Sequence, residues 1–388
     1  EQERTMAMSE NRWIEISKEA LIHNYQQVKA RVGSRCGVLA VVKANAYGLG
    51  MEACGKIFQD QGASMLGVTT FEEAAALRKA GLTLPILVFA PLPATQIIPA
   101  AALGLILTVT SVKALDGILE GIAPPGQLQA AGLTPLQLHL KIETGMGRFG
   151  LWPEEAVGAA RTIAGHPSLK LTGVYTHFAT ASASKGPYFR QQRLRFQEAL
   201  RALEDAGFKA LVRHCANSAA LLACPECDLD MVRIGTLLYG QMPASDAGEK
   251  MELQDPWKCL ARVLEIRELP AGQGVGYGAT FIAKGPTRVA VLPVGYSDGF
   301  QMEPVLRPSG FAAALKATLR LWLRCLKAES QTCHVYFDGN PAPVIGKAGM
   351  QLTMVDVTSL PQVKVGDAAR VPLRRTAADR AIPRIYRD

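Results

Sequence analysis

No apolar stretch in this sequence is long enough to span a membrane. Each one is broken by glycine, proline or a charged residue well short of the ~20 residues a spanning helix needs. Nor does the chain carry a dense lysine/arginine run or a basic–aromatic alternation. Its formal charge of +8 therefore points to small anionic ligands rather than to nucleic acid or a membrane surface. The opening Glu-Gln-Glu-Arg-Thr-Met-Ala-Met-Ser has no apolar core of the kind a secretory signal requires. A disulfide framework is also lacking. The eight cysteines, at 36, 54, 215, 224, 227, 259, 325 and 333, are scattered over a long chain, which suits reduced thiols in a cytoplasmic protein. Cys224-Pro-Glu-Cys227 is a CxxC pair without two further ligands at zinc-site spacing, so it reads as a turn carrying two thiols, and no metal is expected.

What is present is enough material for a large core. The 388 residues are 48% hydrophobic and 20% charged, the balance of a globular chain with room for two domains. Trp13–Ile16 reads as a short strand. Ser17 can cap a helix after it, with Glu19 in its first turn and Leu21, Tyr25 and Val28 on one face. Apolar strands are then expected at 36–42, 64–68, 85–89, 105–110, 136–142, 170–176, 210–214 and 229–234, with helix-period segments between most of them. Pro187 suits the first turn of a helix over 188–206, with Phe189, Leu194, Phe196 and Leu200 among its apolar positions. Eight alternations predict an α/β fold, a parallel (β/α)8 TIM-like barrel over 12–245. Beyond it, strand-like runs at 259–269, 287–293, 333–338 and 352–357 predict a mostly β domain over 246–388, with residues 11–17 a candidate to pair with it. Within that domain, 311–328 has helical spacing, with Leu315, Leu319, Trp322 and Leu326 on one side and Lys316, Arg320, Arg324 and Lys327 on the other. A helix packed on its own domain or on a partner subunit is the expectation there, with a membrane-surface helix as the alternative.

The chemistry begins at Lys43, where the apolar run Val38–Val42 ends. A lysine there usually emerges into solvent; burial would instead lower its pKa and ready it to attack a carbonyl. In a parallel barrel the chemistry gathers at the C-terminal ends of the strands, which places Lys43, Lys141, His177, His214 and Arg233 around one mouth.

Several ordered stretches carry a resemblance: Val41-Val-Lys-Ala-Asn-Ala-Tyr-Gly48, Lys141-Ile-Glu-Thr-Gly-Met-Gly-Arg-Phe-Gly150, Tyr175-Thr-His-Phe-Ala-Thr180, His214-Cys-Ala-Asn-Ser-Ala-Ala220, Met231-Val-Arg-Ile-Gly235, Val275-Gly-Tyr-Gly278 and Gly295-Tyr-Ser-Asp-Gly299. In these the chain resembles the alanine racemases, fold type III enzymes dependent on pyridoxal 5′-phosphate (PLP). The resemblance implies a Schiff base between Lys43 and PLP, and a two-base reaction in which Tyr277 of the partner subunit of a homodimer serves the second face of the substrate carbon. It implies that Arg233 faces the pyridine nitrogen, with His214 in its chain of contacts, and that His177 lies by the ring. Phosphate is expected among Tyr47, Asn217, Ser218 and the backbone N–H groups near Gly235 and Thr236, a sound anion site at a helix start. Arg148 is expected on the PLP phenolic oxygen and the substrate carboxylate, and the Met350 backbone N–H on that carboxylate, with Tyr296 in support. Lys141 matches a lysine that is carbamylated in some members; pairing of the unmodified amine with Glu143 or another carboxylate is the alternative. The implied product, D-alanine, is a peptidoglycan precursor.

The chain also departs from the family. Ser182 and Gln351 stand where acidic residues are usual, and Lys347 where arginine is. The family's Asn-Tyr-Glu motif near the end, whose tyrosine helps hold the phosphate, is missing. An extra segment occupies 301–330 and is expected to rebuild the entrance or the dimer contact. A racemase acting on serine, lysine or a broader set, and a non-catalytic PLP-binding protein, are the competing readings.

Overall fold

The structure, a computed structural model, describes residues 10–124, 126–184, 186–243, 250–302 and 333–388, together with 310, 311, 314–316, 318, 319 and 322. It divides into two compact units, Lys18–Pro256 on the one hand and Trp257–Asp388 with the residues up to Ser17 on the other.

Strand β1 (Arg12–Ser17) belongs to the second unit and leads into helix α1 (Lys18–Val32), which opens the first. Helix α1 buries Ala20, Leu21, Tyr25 and Val28 at 3–4 spacing. Asn24, fully buried on the same face, donates from Nδ2 to the Gln254 carbonyl at 2.8 Å and accepts the Gln254 N–H at 2.8 Å, so residues beyond 250 stay with this unit.

Eight strands follow: β2 (Gly37–Val41), β3 (Met65–Val68), β4 (Ile86–Val88), β5 (Leu105–Val109), β6 (Leu136–Ile142), β7 (Leu169–Thr176), β8 (Val212–His214) and β9 (Met231–Ile234). All pair in parallel, in the order β8-β7-β6-β5-β4-β3-β2-β9. Between β8 and β9 the gap is bridged by backbone bonds outside the ladders, from Asp230 N–H to the Arg213 carbonyl (3.1 Å) and from Arg233 N–H to the Ala216 carbonyl (2.9 Å). The result is the expected TIM-like barrel. Leu39, Val41, Leu87, Ile106, Tyr175 and Met231 form one cluster, fed by alternate residues of the strands.

Crossover helices follow the strands in turn: α2 (Met51–Asp60), α3 (Phe71–Lys79), α4 (Ile97–Ala102), α5 (Val112–Gly121), α6 (Ala156–Ala164), α7 (Pro187–Asp205) and α8 (Ser218–Ala223). Thr70 caps α3 in a capping box with Glu73, and Ser111 caps α5. Pro187 opens α7 as expected; Phe189 and Phe196 are buried in it, but Leu194 faces solvent.

The second unit is mostly β. Strands β10 (Trp257–Arg262), β11 (Glu265–Leu269), β14 (Thr287–Leu292), β15 (His334–Phe337), β16 (Asn340–Ile345), β17 (Thr353–Asp356), β18 (Ala368–Val371) and β19 (Arg384–Arg387) join β1 in a nine-stranded sheet, ordered β11-β14-β17-β16-β15-β18-β10-β1-β19. A separate hairpin pairs β12 (Gly274–Val275) with β13 (Phe281–Ile282). Strand β1 runs antiparallel to β10 and parallel to β19. The single strand read over 259–269 is two strands. Strand β16 escaped notice because Pro341 and Pro343 lie in it, and proline argues against a strand interior. The helix expected over 311–328 falls largely outside the described residues; Phe311, Leu315, Leu319 and Trp322 are exposed.

Candidate active site

Strand β2 ends at Val41, and the chain enters an unusual turn. Ala44, Asn45, Ala46 and Tyr47 all have φ between 52° and 57°, a left-handed turn of four non-glycine residues. Each costs roughly 1–2 kcal/mol against right-handed backbone. Local bonds hold the turn. Gly48 N–H donates to the Ala44 carbonyl (3.1 Å), Gly50 N–H to the Asn45 carbonyl (2.9 Å), and Asn45 Oδ1 accepts the Met51 N–H (3.0 Å). The Ala44 N–H donates to Glu73 Oε1 at 2.7 Å. Strain of this kind, over-determined by its surroundings, marks functional sites. It sets Lys43 into a pocket of about 420 Å3 at the C-terminal ends of the strands.

The pocket is cationic. Lys43, Lys141, Arg148 and Arg233 all line it, and no carboxylate is among its lining residues. Burial, then the Arg148 charge, lower the Lys43 pKa, with Glu73 opposing. Burial also brings Lys141 down to about 7, Arg148 adding to the effect and Glu143 opposing it. The alternative of a Lys141–Glu143 pair does not form. The Glu143 carboxylate instead accepts the backbone N–H groups of Gly145, Met146 and Gly147, which shapes the loop carrying Arg148. The Lys141 ammonium lies 4.5 Å from the centre of the Phe149 ring.

Arg233 is buried and held from several sides. Nη2 donates to the Thr176 carbonyl (2.6 Å), and Nη1 to the His214 carbonyl (2.8 Å) and His214 Nδ1 (3.2 Å). Asp230, three residues before it, is paired instead with Arg213 at 2.9 Å. Guanidinium groups only donate, so His214 Nδ1 is an acceptor and its proton sits on Nε2. That proton points to Nδ1 of His139 at 3.0 Å. Burial first, then the Arg233 charge, keep both rings neutral, His139 down to about 3 and His214 well below its usual value. The Tyr175 ring stacks on His214 (4.8 Å between centroids) and under Arg233 (5.0 Å). His177 lines the pocket, pushed down to about 3 by burial and then by Arg233 and Arg148.

The pocket is also lined by the residues expected around phosphate. Ser218 begins α8, and its Oγ accepts the Gly235 N–H at 3.2 Å. Asn217 lines the pocket, but its Oδ1 caps α8 by accepting the Ala219 and Ala220 N–H groups at 3.1 and 3.0 Å. Its role in this structure is thus to shape the helix start rather than to offer a free amide. Tyr47 packs on Tyr239 (4.8 Å), and a Cβ at Gly235 would collide with the Tyr47 hydroxyl. Thr236 also lines the pocket.

Tyr277, Tyr296 and Met350 lie in the second unit, and all are exposed, Tyr277 most of all at 80%. Two of their loops are bonded together: Tyr296 N–H donates to the Gly349 carbonyl (3.1 Å) and Ser297 Oγ to the Met350 carbonyl (2.7 Å). Asp298 fastens the Tyr296 turn by accepting the Gly295 N–H (2.9 Å) and the Arg12 guanidinium (3.2 Å). Ser182 and Gln351, the neutral replacements, are exposed. Sequence reasoning passed over Glu73, Tyr175 and His139. Glu73 had a signal, the Thr70–Glu73 capping box; His139, as a lone histidine in a strand, had none.

Among the described residues, no His, Cys, Asp or Glu cluster is arranged for a metal ion, and no helix is long and apolar enough to cross a membrane. Residues 16–243 match the family model for the alanine racemase N-terminal domain, and 257–380 that for the C-terminal domain. The alanine racemase of Desulfovibrio desulfuricans is 34% identical over 355 residues, 92% of this chain and 87% of that protein. That of Desulfosudis oleivorans is 36% identical over 365 residues, 92% and 85% of the two chains. In structure, the alanine racemase of Clostridium difficile 630 superposes with a TM-score of 0.84 at 26% identity, covering 98% of this chain and 96% of that one. The Bacillus anthracis alanine racemase with bound L-Ala-P gives 0.81 at 29% identity, with 97% and 95% covered. The chain belongs to the alanine racemase family.

Proposed function

We propose that the barrel pocket binds pyridoxal 5′-phosphate at Lys43 and that the protein interconverts L- and D-alanine. The observation that carries this reading is a half-buried lysine of lowered pKa in a pocket lined by Lys141, Arg148 and Arg233 and by no carboxylate. Such a pocket suits a dianionic phosphate and a substrate carboxylate together. The residues fit the cofactor. The cradle at Ser218, Gly235 and Tyr47 leaves no room even for a methyl group at Gly235, and it brings the Ser218 and Tyr47 hydroxyls, each able to donate to an anion, into the pocket. Bound there, PLP would supply an electron-accepting ring that acidifies the substrate's α-hydrogen.

The chain's own groups then do the rest. Lys43, with its ammonium form disfavoured, accepts or returns the proton at Nζ on one face. Arg233, a permanent donor set by His214 and the Thr176 carbonyl, cannot accept a hydrogen bond from a protonated ring nitrogen, and its charge would disfavour protonation there. A ring so held would draw electrons less strongly, which favours quick return of the proton from the chain's own bases. Arg148, with its planar fork, would orient the substrate carboxylate, and neutral His177, which also lines the pocket, would lie by the ring. The second base is assigned to Tyr277 of the partner subunit of a homodimer. The backbone N–H of Met350, whose carbonyl is tied to Ser297, assists at the carboxylate, with Tyr296 beside it. The product D-alanine serves as a peptidoglycan precursor.

Neutral Ser182 and Gln351 favour testing serine and lysine beside alanine. Purified protein incubated with each L-amino acid in deuterated water is followed by chiral chromatography and α-deuteration. Fastest exchange and racemisation with alanine supports the proposal; fastest turnover of serine or lysine moves the substrate assignment. An absence of exchange with every amino acid, in protein carrying the cofactor's absorbance, leaves a PLP-binding protein without racemase activity.

A further inference from the structure

We propose that Cys224 and Cys227 form a peroxide-oxidisable dithiol that closes to a disulfide within the folded barrel. The pair lies at the C-terminal end of the helix that Ser218 begins. Cys224 ends α8, and a short 3-10 turn, Pro225–Cys227, brings the second thiol back onto it with the two Sγ atoms 2.6 Å apart. A disulfide bond of about 2.05 Å therefore needs only about half an ångström of closure. Both side chains are buried, which shields them from bulky disulfide reagents. Cys227 nevertheless lines a cavity of about 30 Å3, roughly twice the minimum that holds one water, which suits a two-oxygen molecule such as hydrogen peroxide.

The neighbours supply the rest of the chemistry. Cys227 sulfur attacks one peroxide oxygen, the O–O bond breaks, and Cys227 becomes a sulfenic acid with release of water. Cys224 Sγ–H donates to Glu226 Oε2 at 3.3 Å, so this carboxylate takes the thiol proton as Cys224 sulfur attacks Cys227 sulfur. The S–O bond breaks, and the departing hydroxide leaves as water with that proton. Two thiols and one hydrogen peroxide give one disulfide and two waters. Arg193, 3.7 Å from Glu226, favours the thiolates. The contact with Cys227, then burial, raise the Cys224 thiol; Cys215 raises Cys227, with Cys224 opposing and burial adding, so the pair rests reduced and oxidises slowly. A third thiol, Cys215, lines the same cavity, and its Sγ donates to the Cys227 carbonyl at 3.1 Å; the 2.6 Å approach of Cys224 Sγ to Cys227 Sγ makes Cys224 the resolving partner. None of this depends on which amino acid the barrel mouth accepts.

The test exposes the intact, cofactor-loaded protein to hydrogen peroxide, then denatures, alkylates and maps it by mass spectrometry. The peptide spanning 224–227 is expected to lose both alkylation sites and to regain them with dithiothreitol. In C224S, Cys227 is expected to stall as a sulfenic acid captured by dimedone; in C227S, Cys224 is expected to stay fully alkylatable. Two results overturn the proposal: both thiols remaining alkylatable under exposure that converts exposed Met302 and Met350 to sulfoxides, or a bridge from Cys227 to Cys215 in place of Cys224. Should either serine variant fail to fold by circular dichroism, E226Q changes only an exposed side chain. Slower disulfide formation is expected there, and a rate equal to that of the unaltered protein overturns the proton route.

Discussion

The carboxylate of Glu73 ties the cap of a helix to the turn that presents the key lysine: Oε1 accepts the Ala44 N–H at 2.7 Å, one residue past Lys43, while Oε2 accepts the Thr69 N–H at 2.8 Å. Glu73 thus closes its own capping box and pins a left-handed turn that the backbone disfavours. Glu73→Gln keeps the size but removes one of the two charged acceptors. It is expected to cost roughly 1–2 kcal/mol of stability and to weaken PLP binding at Lys43. Chemical denaturation and a PLP titration followed by absorbance measure the two effects. Unchanged affinity would separate the cap from the site.

Gly235→Ala places a Cβ against the Tyr47 hydroxyl. Tyr47 is packed on Tyr239, so it cannot retreat freely. Overpacking of this kind costs roughly 1–3 kcal/mol. The expected outcome is a protein that folds but holds the cofactor at least ten times more weakly, read by equilibrium dialysis.

Lys141 gives a pH signature in buffer free of carbon dioxide. Its folded-state pKa, about 7, lies below the ordinary lysine value, so between about pH 7 and 10 the unfolded chain binds one more proton than the folded one. Stability from this group rises with pH across that window, by up to about 1.4 kcal/mol per pH unit, and is lost on returning to neutrality. Lys141→Met should flatten the slope of urea midpoints measured from pH 7 to 9. Added bicarbonate should place one carbamate on the neutral amine of the unaltered protein, visible by carbon-13 NMR.

Three histidines predict acid lability. His139 and His177 are held down to about 3, and His214 also falls below its usual value. Between pH 6.5 and 3 the unfolded chain protonates these rings while the folded one does not. Each ring then removes up to about 1.4 kcal/mol of stability per pH unit as the pH falls. Proton uptake of more than one equivalent on acid unfolding, measured by potentiometry, is the expected result. Histidine resonances of these rings that titrate between pH 6 and 7 would contradict it.

Tyr277→Phe removes the hydroxyl assigned to the second base. Racemisation should fall by at least about a hundredfold, the lower end for loss of a general acid–base group, while the absorbance of cofactor joined to Lys43 persists. Lys43→Ala should abolish both. Turnover in Tyr277→Phe equal to that of the unaltered protein would rule out the assignment.

Much of the barrel was legible in advance because a parallel sheet buried on both faces writes continuous apolar runs, such as Val38–Val42 and Leu105–Val109. Those runs place Lys43, Lys141, His177, His214 and Arg233 at strand ends before any coordinates exist. The second unit was harder. Its strands mix charge and proline, as in Arg384–Arg387 and Asn340–Ile345, and their order in the sheet depends on long-range pairing that no local pattern encodes.

The sequence by itself determined the alternation of strands and helices, the lysine at the end of the first barrel strand, and the ordered motifs shared with alanine racemases. These are local properties, set by apolar periodicity and residue identity. Only the tertiary structure decided that Glu143 shapes the Arg148 loop instead of pairing with Lys141, that Asn217 caps α8, and that His139 lies behind His214 and Arg233. Each of those outcomes depends on which buried donor meets which acceptor across tens of residues. A polar group removed from water takes whichever partner the packed backbone brings within reach, and spacing along the chain does not reveal that partner.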